Sequence, residues 1–500
     1  MTRSISALLL CAALAASPAV AQVTADESDA ASLLRQQVER FMDQISIELE
    51  RNGGGVGYVV DVSEDAGGAI SLVVRDIALS GPDFVWAIGE AGLDLVPDGP
   101  DRYRSTLRLP RTTSLYDDGG ALLGGTSLGS QRCVGSYVPD VDAWTDSDCL
   151  FTDLIFHGTF PYEGEFRFSV DQVALRSSLQ EDRDGKWSGP GSMSVEGVRL
   201  ALNGFDGLGL ARLDAEVAYG GWDLVFLAAA TEAFQEIEGT EPPGEDWMEE
   251  TAARLADLAM ARAPLMESVS MTVDLSDFFL RDPDSLQEFS FDAVNFGTVM
   301  EGLDTDAASF VVEYGHAGLT VPVGSLEGDL VPHDVDLRLA FRDLPSLDLA
   351  VLGGDMFRNA LNDLVPFDAR DFGMLALQHV LRAGSVFEIE RLGYESAALR
   401  ADLAGRFTAS GQSPMMAVGT ARLEVLGLDG LAEHLAGMAA SGDAGAQETA
   451  QVLAAMQAMG RRVEEASAVR HVYDLELTPE GRILLNGNDM GGPVLEDAMQ

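Results

Sequence analysis

Basic residues are scarce in this sequence, and lysine is almost absent. Lys186 is the single lysine, and 32 Lys+Arg stand against 81 Asp+Glu, which gives a formal net charge of −49. So few cations argue against binding to nucleic acid, because none are in excess to replace phosphate counterions. They argue equally against adsorption to an anionic membrane surface. The 500-residue chain is nonetheless 46% hydrophobic, so it can form a sizeable core and wholesale disorder is not expected.

The sequence also lacks an apolar run long enough to cross a bilayer, which takes about 20 residues. Its apolar run at residues 5–16 is shorter, follows Arg3 and precedes the small-residue site Ala19-Val20-Ala21. That order is typical of a secretory signal peptide, here residues 1–21. We therefore expect a periplasmic protein, with secretion as the alternative, and no transmembrane segment once the signal is removed.

Cysteine is rare as well, and removal of the signal peptide leaves only Cys133 and Cys149. In an oxidising compartment such a pair is most simply a disulfide. The bond would close a short loop and stabilise the fold by about 3 kcal/mol in chain-entropy estimates. A redox-active pair is the alternative, but the C-x-x-C spacing that lowers a thiol pKa is missing.

The loop between these cysteines is rich in carboxylates, which are the ligands that calcium prefers. An EF-hand pattern fails there, because Trp144 occupies a ligand position and Thr145 the position of the turn glycine. We expect a solvated turn and no metal site, while calcium binding remains the alternative. The four acidic residues are Asp140, Asp142, Asp146 and Asp148.

Hydrophobic periodicity predicts one helix and then many strands in the first part of the chain. A three-and-four spacing predicts a helix ended by Gly53-Gly54-Gly55, and its apolar positions are Leu34, Val38, Phe41, Ile45 and Leu49. Short β-branched runs separated by turn residues follow to about residue 180. Residues 182–192 are the clearest break. The sequence thus predicts a β-rich region with a disulfide loop over residues 22–190 and a second region over residues 191–500.

An internal repeat is the most informative feature of the second region. Residues 199–208 and 422–431 share the frame R-L-x-x-x-G-x-D-G-L. Each copy is followed by a predicted helix that opens Glu-Thr-Ala, at Glu250 and at Glu448, and then by a strand. We interpret this order as a duplicated strand–turn–helix–strand unit, with copies near 198–275 and 421–485; chance similarity is the alternative. The predicted turn residues are Gly204, Asp206, Gly207, Gly427, Asp429 and Gly430.

Two further patterns predict antiparallel strands in this region. Val335, Leu337, Leu339 and Phe341 alternate with less apolar residues, as in a strand with one buried face. Near the end, Thr478-Pro479-Glu480-Gly481 separates two apolar runs and predicts a β-hairpin. The fold class is therefore α+β, mainly antiparallel, with elongated curved sheets and amphipathic helices packed on one face.

Motifs for catalysis and cofactors are poorly represented. Gly125-Thr126-Ser127-Leu128-Gly129 fits G-x-S-x-G, but no strand–helix alternation surrounds it, so a glycine-rich loop is the simpler interpretation. The six histidines form no zinc motif, and Lys186 is followed by Trp187, which excludes a Walker A motif. We predict no catalytic residue, no cofactor and no enzyme activity. Methionines on the predicted helices fill core space or line a lipid-binding surface.

The overall organisation resembles a group of bacterial envelope proteins. The residues that carry this resemblance are 330–339, in which a turn proline leads into an alternating strand, and the closing hairpin at 481–487. They are similar to the alphaproteobacterial domain of unknown function 2125 and to YdgA-like and AsmA-like proteins. The resemblance implies elongated, curved β-sheets with helices along them, and a role in envelope maintenance. It supplies no catalytic residues, and the membrane anchor common among AsmA-like proteins is missing from this sequence.

These observations lead to one functional hypothesis and two alternatives. The favoured one is a non-catalytic periplasmic protein that binds an apolar ligand or lipid, or an envelope partner, because a curved sheet under helices can form an apolar groove. The alternatives are a hydrolase, either of the serine type through Ser127 or of a carboxylate type, and a structural or assembly protein of the envelope. The sequence identifies neither the ligand nor the oligomeric state.

Overall fold

The computed structural model describes residues 30–51, 53–99, 102–141, 143–160, 164–227, 264–322, 329–361, 369–440, 444–464 and 469–491. The chain divides into two compact units: residues 1–206 with 218–265, and residues 207–217 with 266–500. Residue 190, at the boundary that the sequence predicts, lies within the strand Trp187–Leu202. The predicted signal peptide and the predicted helix at Glu250 lie outside the described residues.

The first unit is a long antiparallel meander with one helix at its start. In chain order its elements are α1 (Ala30–Glu50), β1 (Gly55–Glu64), β2 (Ile70–Gly81), β3 (Phe84–Pro97), β4 (Tyr103–Arg108), β5 (Thr112–Asp117), β6 (Leu122–Val138), a 3-10 turn (Pro139–Val141), β7 (Ala143–Phe160), β8 (Gly164–Ser178), β9 (Gln180–Glu181), β10 (Trp187–Leu202) and β11 (Phe205–Trp222), of which residues 207–217 belong to the second unit.

Pairing in the first unit is antiparallel throughout. β1, β2 and β3 pair in sequence order, and β3 then pairs with both β4 and β5. These two short strands both pair with β6, which continues through β7 and β8 to β10. Sequence neighbours therefore pair as hairpins almost everywhere, as Gly, Pro and Asp turns at short intervals predict.

Helix α1 packs on the first strands through the face that the sequence predicts. Leu34 and Met42 are buried with Val60, Ile70 and Leu72, and the predicted positions Val38, Phe41 and Ile45 pack against them. The glycine run ends the helix as expected: the amide of Gly54 donates to the carbonyl of Leu49, and Gly53 has a φ of 77°.

The second unit is also a meander, interrupted by two helical insertions. Its elements are β12 (Ser268–Arg281), β13 (Glu288–Glu301), β14 (Ala308–Ala317), β15 (Asp334–Leu344), α2 (Ser346–Leu361), α3 (Ala369–Ala383), β16 (Val386–Glu395), β17 (Arg400–Ala409), β18 (Ala417–Leu426), α4 (Leu428–Ala440), α5 (Ala444–Met459), β19 (Arg461–Glu464), β20 (Val469–Leu477), β21 (Ile483–Leu485) and β22 (Asn488–Asp489).

Each strand from β12 to β18 pairs antiparallel with the next one, so α2 and α3 are an insertion between two adjacent strands. β18 then pairs with β20, after the chain has passed through α4, α5 and β19. The hairpin predicted at Thr478-Pro479-Glu480-Gly481 is confirmed, since Leu477 pairs with Ile483. The mainly antiparallel fold class is likewise confirmed.

The core of the second unit lies where α4 and α5 pack on the last strands. We call the buried residues Val425, Leu428, Leu431, Leu435, Leu453 and Tyr473 the C-terminal core. Leu428 and Leu435 are 1% and 2% exposed, so this cluster is tightly enclosed. Its strand residues Val425 and Tyr473 lie on the same face of the sheet as Leu423 and Ala401, which also pack against it.

Candidate functional site

The two predicted disulfide residues are direct partners across adjacent strands. Cys133 on β6 pairs with Cys149 on β7, and their sulfur atoms lie at bonding distance. Leu128 and Phe151 are buried in the same cluster, which shields the sulfur atoms from solvent. The segment that the disulfide closes is mostly strand, because both strands continue beyond the cysteines and the chain turns through residues 139–141.

The acidic residues between the cysteines are engaged by neighbouring strands. Asp146 accepts a hydrogen bond from Ser178 at 3.0 Å, and Asp148 pairs with Arg132 at 2.6 Å. Both lie in β7 and not in the predicted turn, because the ladder to β8 holds this segment extended. Asp142 and the side chain of Asp140 lie outside the described residues. In the described part of the chain no group of three or more potential ligands could hold a metal ion.

Ser127 lies in the middle of a strand. Its partners are Thr112 on β5 and Ile155 on β7, so the predicted glycine-rich loop is instead part of β6. Glycine is needed at positions 124 and 125 of this strand. A Cβ added to Gly124 would lie 2.1 Å from the backbone oxygen of His157, and one added to Gly125 would lie 2.2 Å from that of Thr113. A nucleophile elbow needs a strand-to-helix turn at the serine, and β6 does not supply one here.

The two copies of the repeated frame have different local structures. In the first copy Asn203 and Gly204 both have positive φ, 51° and 78°, which is the pattern of a two-residue type I′ turn. The chain therefore returns at once as β11, and Asp206 and Gly207 lie in that strand. Gly204 therefore lies in a turn, whereas Asp206 and Gly207 lie in the following strand, because the Asn-Gly turn is complete before them.

In the second copy Gly427 follows β18 with a φ of 87°, and an added Cβ would meet the carbonyl oxygen of Ala398 at 2.4 Å. Helix α4 begins directly after it, so Asp429 and Gly430 lie in the first helical turn. Gly427 therefore lies in the connection between strand and helix, whereas Asp429 and Gly430 lie in the helix. No Asn-Gly pair is present to return the chain as a strand, and the carboxylate favours the helix N-terminus.

Asp429 connects both helices of the C-terminal core to the sheet. Its Oδ1 accepts hydrogen bonds from His471 Nε2 on β20 at 2.8 Å and from Gln457 Nε2 on α5 at 2.7 Å. Arg462 on β19 lies 3.5 Å from its other oxygen. The hydrogen bond from His471 is the largest cause that lowers the pKa of Asp429, ahead of that from Gln457, while burial opposes both. We call these four residues the Asp429 cluster.

His471 is 3% exposed, and its Nδ1 has no hydrogen-bond partner in the part of the chain that is described. Because a carboxylate only accepts, Nε2 carries the proton that it donates to Asp429. No motif in the sequence predicts the pair of His471 and Asp429. The available signal was the alternation in β20, which places His471 on one face with Tyr473 and Leu475.

A second feature is an apolar face that extends across five strands of the second unit. Direct cross-strand partners share a face, and so do alternate residues of one strand. By that rule one face carries, between Val294 and Met300 of β13 and across the neighbouring strands, only two residues without an aliphatic or aromatic side chain of low polarity, Thr298 and His316. Beyond Val294 the same face of β13 becomes polar, with Asp292, Ser290 and Glu288. We call it the apolar face: Val269, Met271, Val273, Leu275, Val294, Phe296, Thr298, Met300, Phe310, Val312, Tyr314, His316, Val335, Leu337, Leu339, Phe341, Phe387, Ile389, Leu392 and Tyr394.

Aromatic rings are concentrated in one row of this face. Phe310, Phe341 and Phe387 come from three adjacent strands, with ring centroids 6.2 and 5.0 Å apart. Phe407 is the direct partner of Phe387 and continues the row onto β17. No residue of the apolar face is fully buried, and Met271, Phe296 and Tyr314 are 37–38% exposed. The same side of the sheet thus passes from this open area to the enclosed C-terminal core.

The opposite face of the same strands is charged and internally paired. Arg338 contacts Glu313 and lies 2.5 Å from Glu390, and Arg342 lies 2.7 Å from Glu388. The stems of the two arginines flank Ala340, which is 0% exposed. The hydrogen bonds that Arg342 donates to Glu388 and Glu390 raise the pKa of its guanidinium, so its charge is fixed.

None of the helices in the described ranges combines the length and the apolarity that a membrane crossing requires. Comparison with family models, with curated proteins and with solved structures finds no match for this chain. The function is therefore argued from the geometry of the site.

Proposed function

We propose that this chain is a non-catalytic, exported envelope protein of the periplasm that binds an apolar ligand on its apolar face. The observation that carries the proposal is the incomplete burial of this face, in which twenty positions on five strands hold rows of Phe, Leu and Val without one fully buried member. Contiguous apolar surface of this kind marks a ligand groove or an interaction site in soluble proteins.

The contrast with the neighbouring strands supports a binding role over a simple packing defect. On β18 and β20 the same side of the sheet is covered by α4 and α5, and Val425 there is 3% exposed. The chain is therefore able to enclose its apolar face with its own helices. It does so at one end, whereas on β12–β16 the members of the apolar face are only partly buried. An aliphatic chain bound there can gain roughly 25 cal/mol for each Å² of surface removed from water.

Two expectations from the sequence accompany the proposal. The packing of α4 and α5 on the side that bears the apolar face supports helices arranged along one face of the sheet. The duplication gains no such support, because its two frames form a hairpin and a strand-to-helix turn. Export rests on the predicted signal peptide, and an envelope role rests on the resemblance to AsmA-like and YdgA-like proteins.

The test measures how tightly an environment-sensitive apolar dye binds to variants of the two faces of the sheet. The dye must be uncharged, which rules out 1-anilinonaphthalene-8-sulfonate. A neutral dye such as Nile red is suitable. The binding variant carries Met271→Gln and Phe296→Gln, both at exposed positions of the apolar face. The control carries Thr272→Gln and Asn295→Gln, at exposed positions on the opposite face of the same two strands.

We expect the dissociation constant of Nile red to rise roughly tenfold for the binding variant, because two partly buried apolar contacts are lost. The control should bind as the unmodified chain does. Equal binding by all three proteins would contradict the proposal, and so would a loss of binding that is the same for both variants.

A further inference from the structure

We infer that the apolar face selects amphiphiles whose polar end is neutral or cationic and rejects those whose polar end is anionic. This inference rests on the proposed function and specifies its ligand class. It is carried by the positions of the cations and anions of β12–β16 and of the connections between these strands.

The apolar face itself offers no cation to an anionic head group. Its twenty positions include neither arginine nor lysine, and its one histidine is engaged on both ring nitrogens. His316 Nδ1 lies 3.0 Å from the hydroxyl of Tyr314, and its Nε2 lies 3.2 Å from the carbonyl oxygen of Pro332. An anion on this face would therefore lose its hydration without gaining a counter-charge, which is costly.

Three arginines of these strands lie on the other side and are paired there. A fourth, Arg281 at the end of β12, is also taken up by an ion pair, with Glu288. Arg338 and Arg342 occupy the charged face of β15 and contact glutamates of β14 and β16. Arg391 on β16 lies 2.6 Å from Asp336. Recruiting one of them to a ligand would break an existing ion pair, so none is an available partner for a carboxylate or sulfate.

One margin of the apolar face is acidic. The row of Phe310 and Phe341 lies near the ends of its strands. At this edge the β13–β14 connection leads into β14, and β15 leads into α2. Residues 301–309 and 343–353 contain no arginine or lysine. Five acidic residues there are exposed: Glu301, Asp304, Asp306, Asp343 and Asp348. With a net charge of −49 on the whole chain, the potential at this margin repels anions and attracts cations.

The test compares three ligands that share a palmitoyl chain and differ in their polar end: monopalmitoylglycerol, palmitoylcholine and palmitate. Each is titrated against the complex of the full chain with Nile red, and dye displacement is measured at low and at high salt. At low salt we expect palmitate to bind about tenfold more weakly than monopalmitoylglycerol, and palmitoylcholine to bind at least as tightly as the neutral ligand. At high salt the affinities of palmitate and palmitoylcholine should both move closer to that of monopalmitoylglycerol.

A charge variant tests the acidic margin directly. Glu301→Gln, Asp304→Asn and Asp306→Asn together should improve palmitate binding several-fold and leave monopalmitoylglycerol unchanged. The matched control removes the same charge elsewhere in the unit, by Glu433→Gln, Glu476→Gln and Glu480→Gln, all at exposed positions. An equal gain in both variants would overturn the assignment of selectivity to this margin.

The outcomes separate the two proposals. If palmitate binds as tightly as the neutral ligand at low salt, the charge selectivity is wrong while the apolar site stands. If Nile red and all three palmitoyl ligands fail to bind, the proposed function itself fails.

Discussion

His471 and Asp429 are 42 residues apart in the sequence and form a 2.8 Å hydrogen bond that ties α4 to β20. The histidine is almost completely buried, and the carboxylate also accepts a hydrogen bond from Gln457 of α5. A single side chain in the first turn of α4 therefore connects two helices and the sheet. This hydrogen bond lies beside the C-terminal core, where α4 and α5 cover the apolar side of the sheet.

Removal of the Asp429 carboxylate should destabilise the α4–α5 insertion. In Asp429→Ala the buried imidazole of His471 loses its one observed partner, and an unsatisfied buried polar group costs about 1–3 kcal/mol. We expect faster amide exchange in α4 and α5 than in β12–β14, measured by hydrogen exchange and mass spectrometry. Asp429→Asn retains an accepting oxygen and serves as the control. Equal exchange in both variants and the unmodified chain would show that the cluster does not hold the helices.

The same cluster predicts a loss of stability in acid. The pKa of Asp429 is lowered in the fold, chiefly by the hydrogen bond from His471, so its carboxylate stabilises the folded chain above the ordinary aspartate pKa. This contribution disappears as the pH falls through the lowered folded pKa. Exchange in α4 and α5 should therefore accelerate at acidic pH in the unmodified chain. In Asp429→Asn that acceleration should be smaller; an identical acid response would contradict the assignment.

The disulfide should stabilise the first unit. Cys133 and Cys149 are 16 residues apart, and a cross-link of that length restricts the unfolded chain by about 3 kcal/mol. Cys133→Ser with Cys149→Ser should lower the urea midpoint of the first unit accordingly. Addition of a reductant to the unmodified chain, under denaturing and refolding conditions, should give the same midpoint. A midpoint that is unchanged in the double variant would contradict a structural role for this bond.

Ala340 should not tolerate a larger side chain. It is 0% exposed between the arginine stems of the charged face, so Ala340→Leu must displace Arg338 or Arg342 and should cost about 1–3 kcal/mol. Ala404→Leu, at an exposed alanine of β17, is the matched control and should change stability by less than about 0.5 kcal/mol. Urea unfolding of both variants measures the difference. Equal stability would show that the ion pairs do not enclose Ala340.

Local patterns of the sequence predict much of this fold. The spacing from Leu34 to Ile45 predicts the buried side of α1, and Thr478-Pro479-Glu480-Gly481 predicts its hairpin. Both features are set by residues close together in the chain. The repeated frame misled for the same reason. It compares residue types and takes no account of the Asn203-Gly204 pair, whose positive φ angles form a tight turn between two strands in the first copy.

The candidate sites depend on residues that are distant in sequence, and the sequence predicts them poorly. The alternation in β15 identifies Val335 to Phe341 as apolar, but it cannot show that Ala340 on the polar side is the most buried residue of that strand. Its neighbours on that side include Arg338 and Arg342, whose partners Glu388 and Glu390 lie beyond two intervening helices in the sequence. His471 likewise reaches Asp429 only because β20 pairs with β18, the strand that leads into α4.

Photolabelling with an uncharged aliphatic diazirine probe tests the central claim most directly. After irradiation of the full chain and proteolysis, mass spectrometry locates the labelled residues. We predict labels on peptides that contain residues 269–275, 294–300, 310–316, 335–341 and 387–394, and competition by monopalmitoylglycerol should remove them. Labels confined to other peptides, or labels on these strands that an excess of monopalmitoylglycerol leaves unchanged, would contradict an apolar binding site on this face.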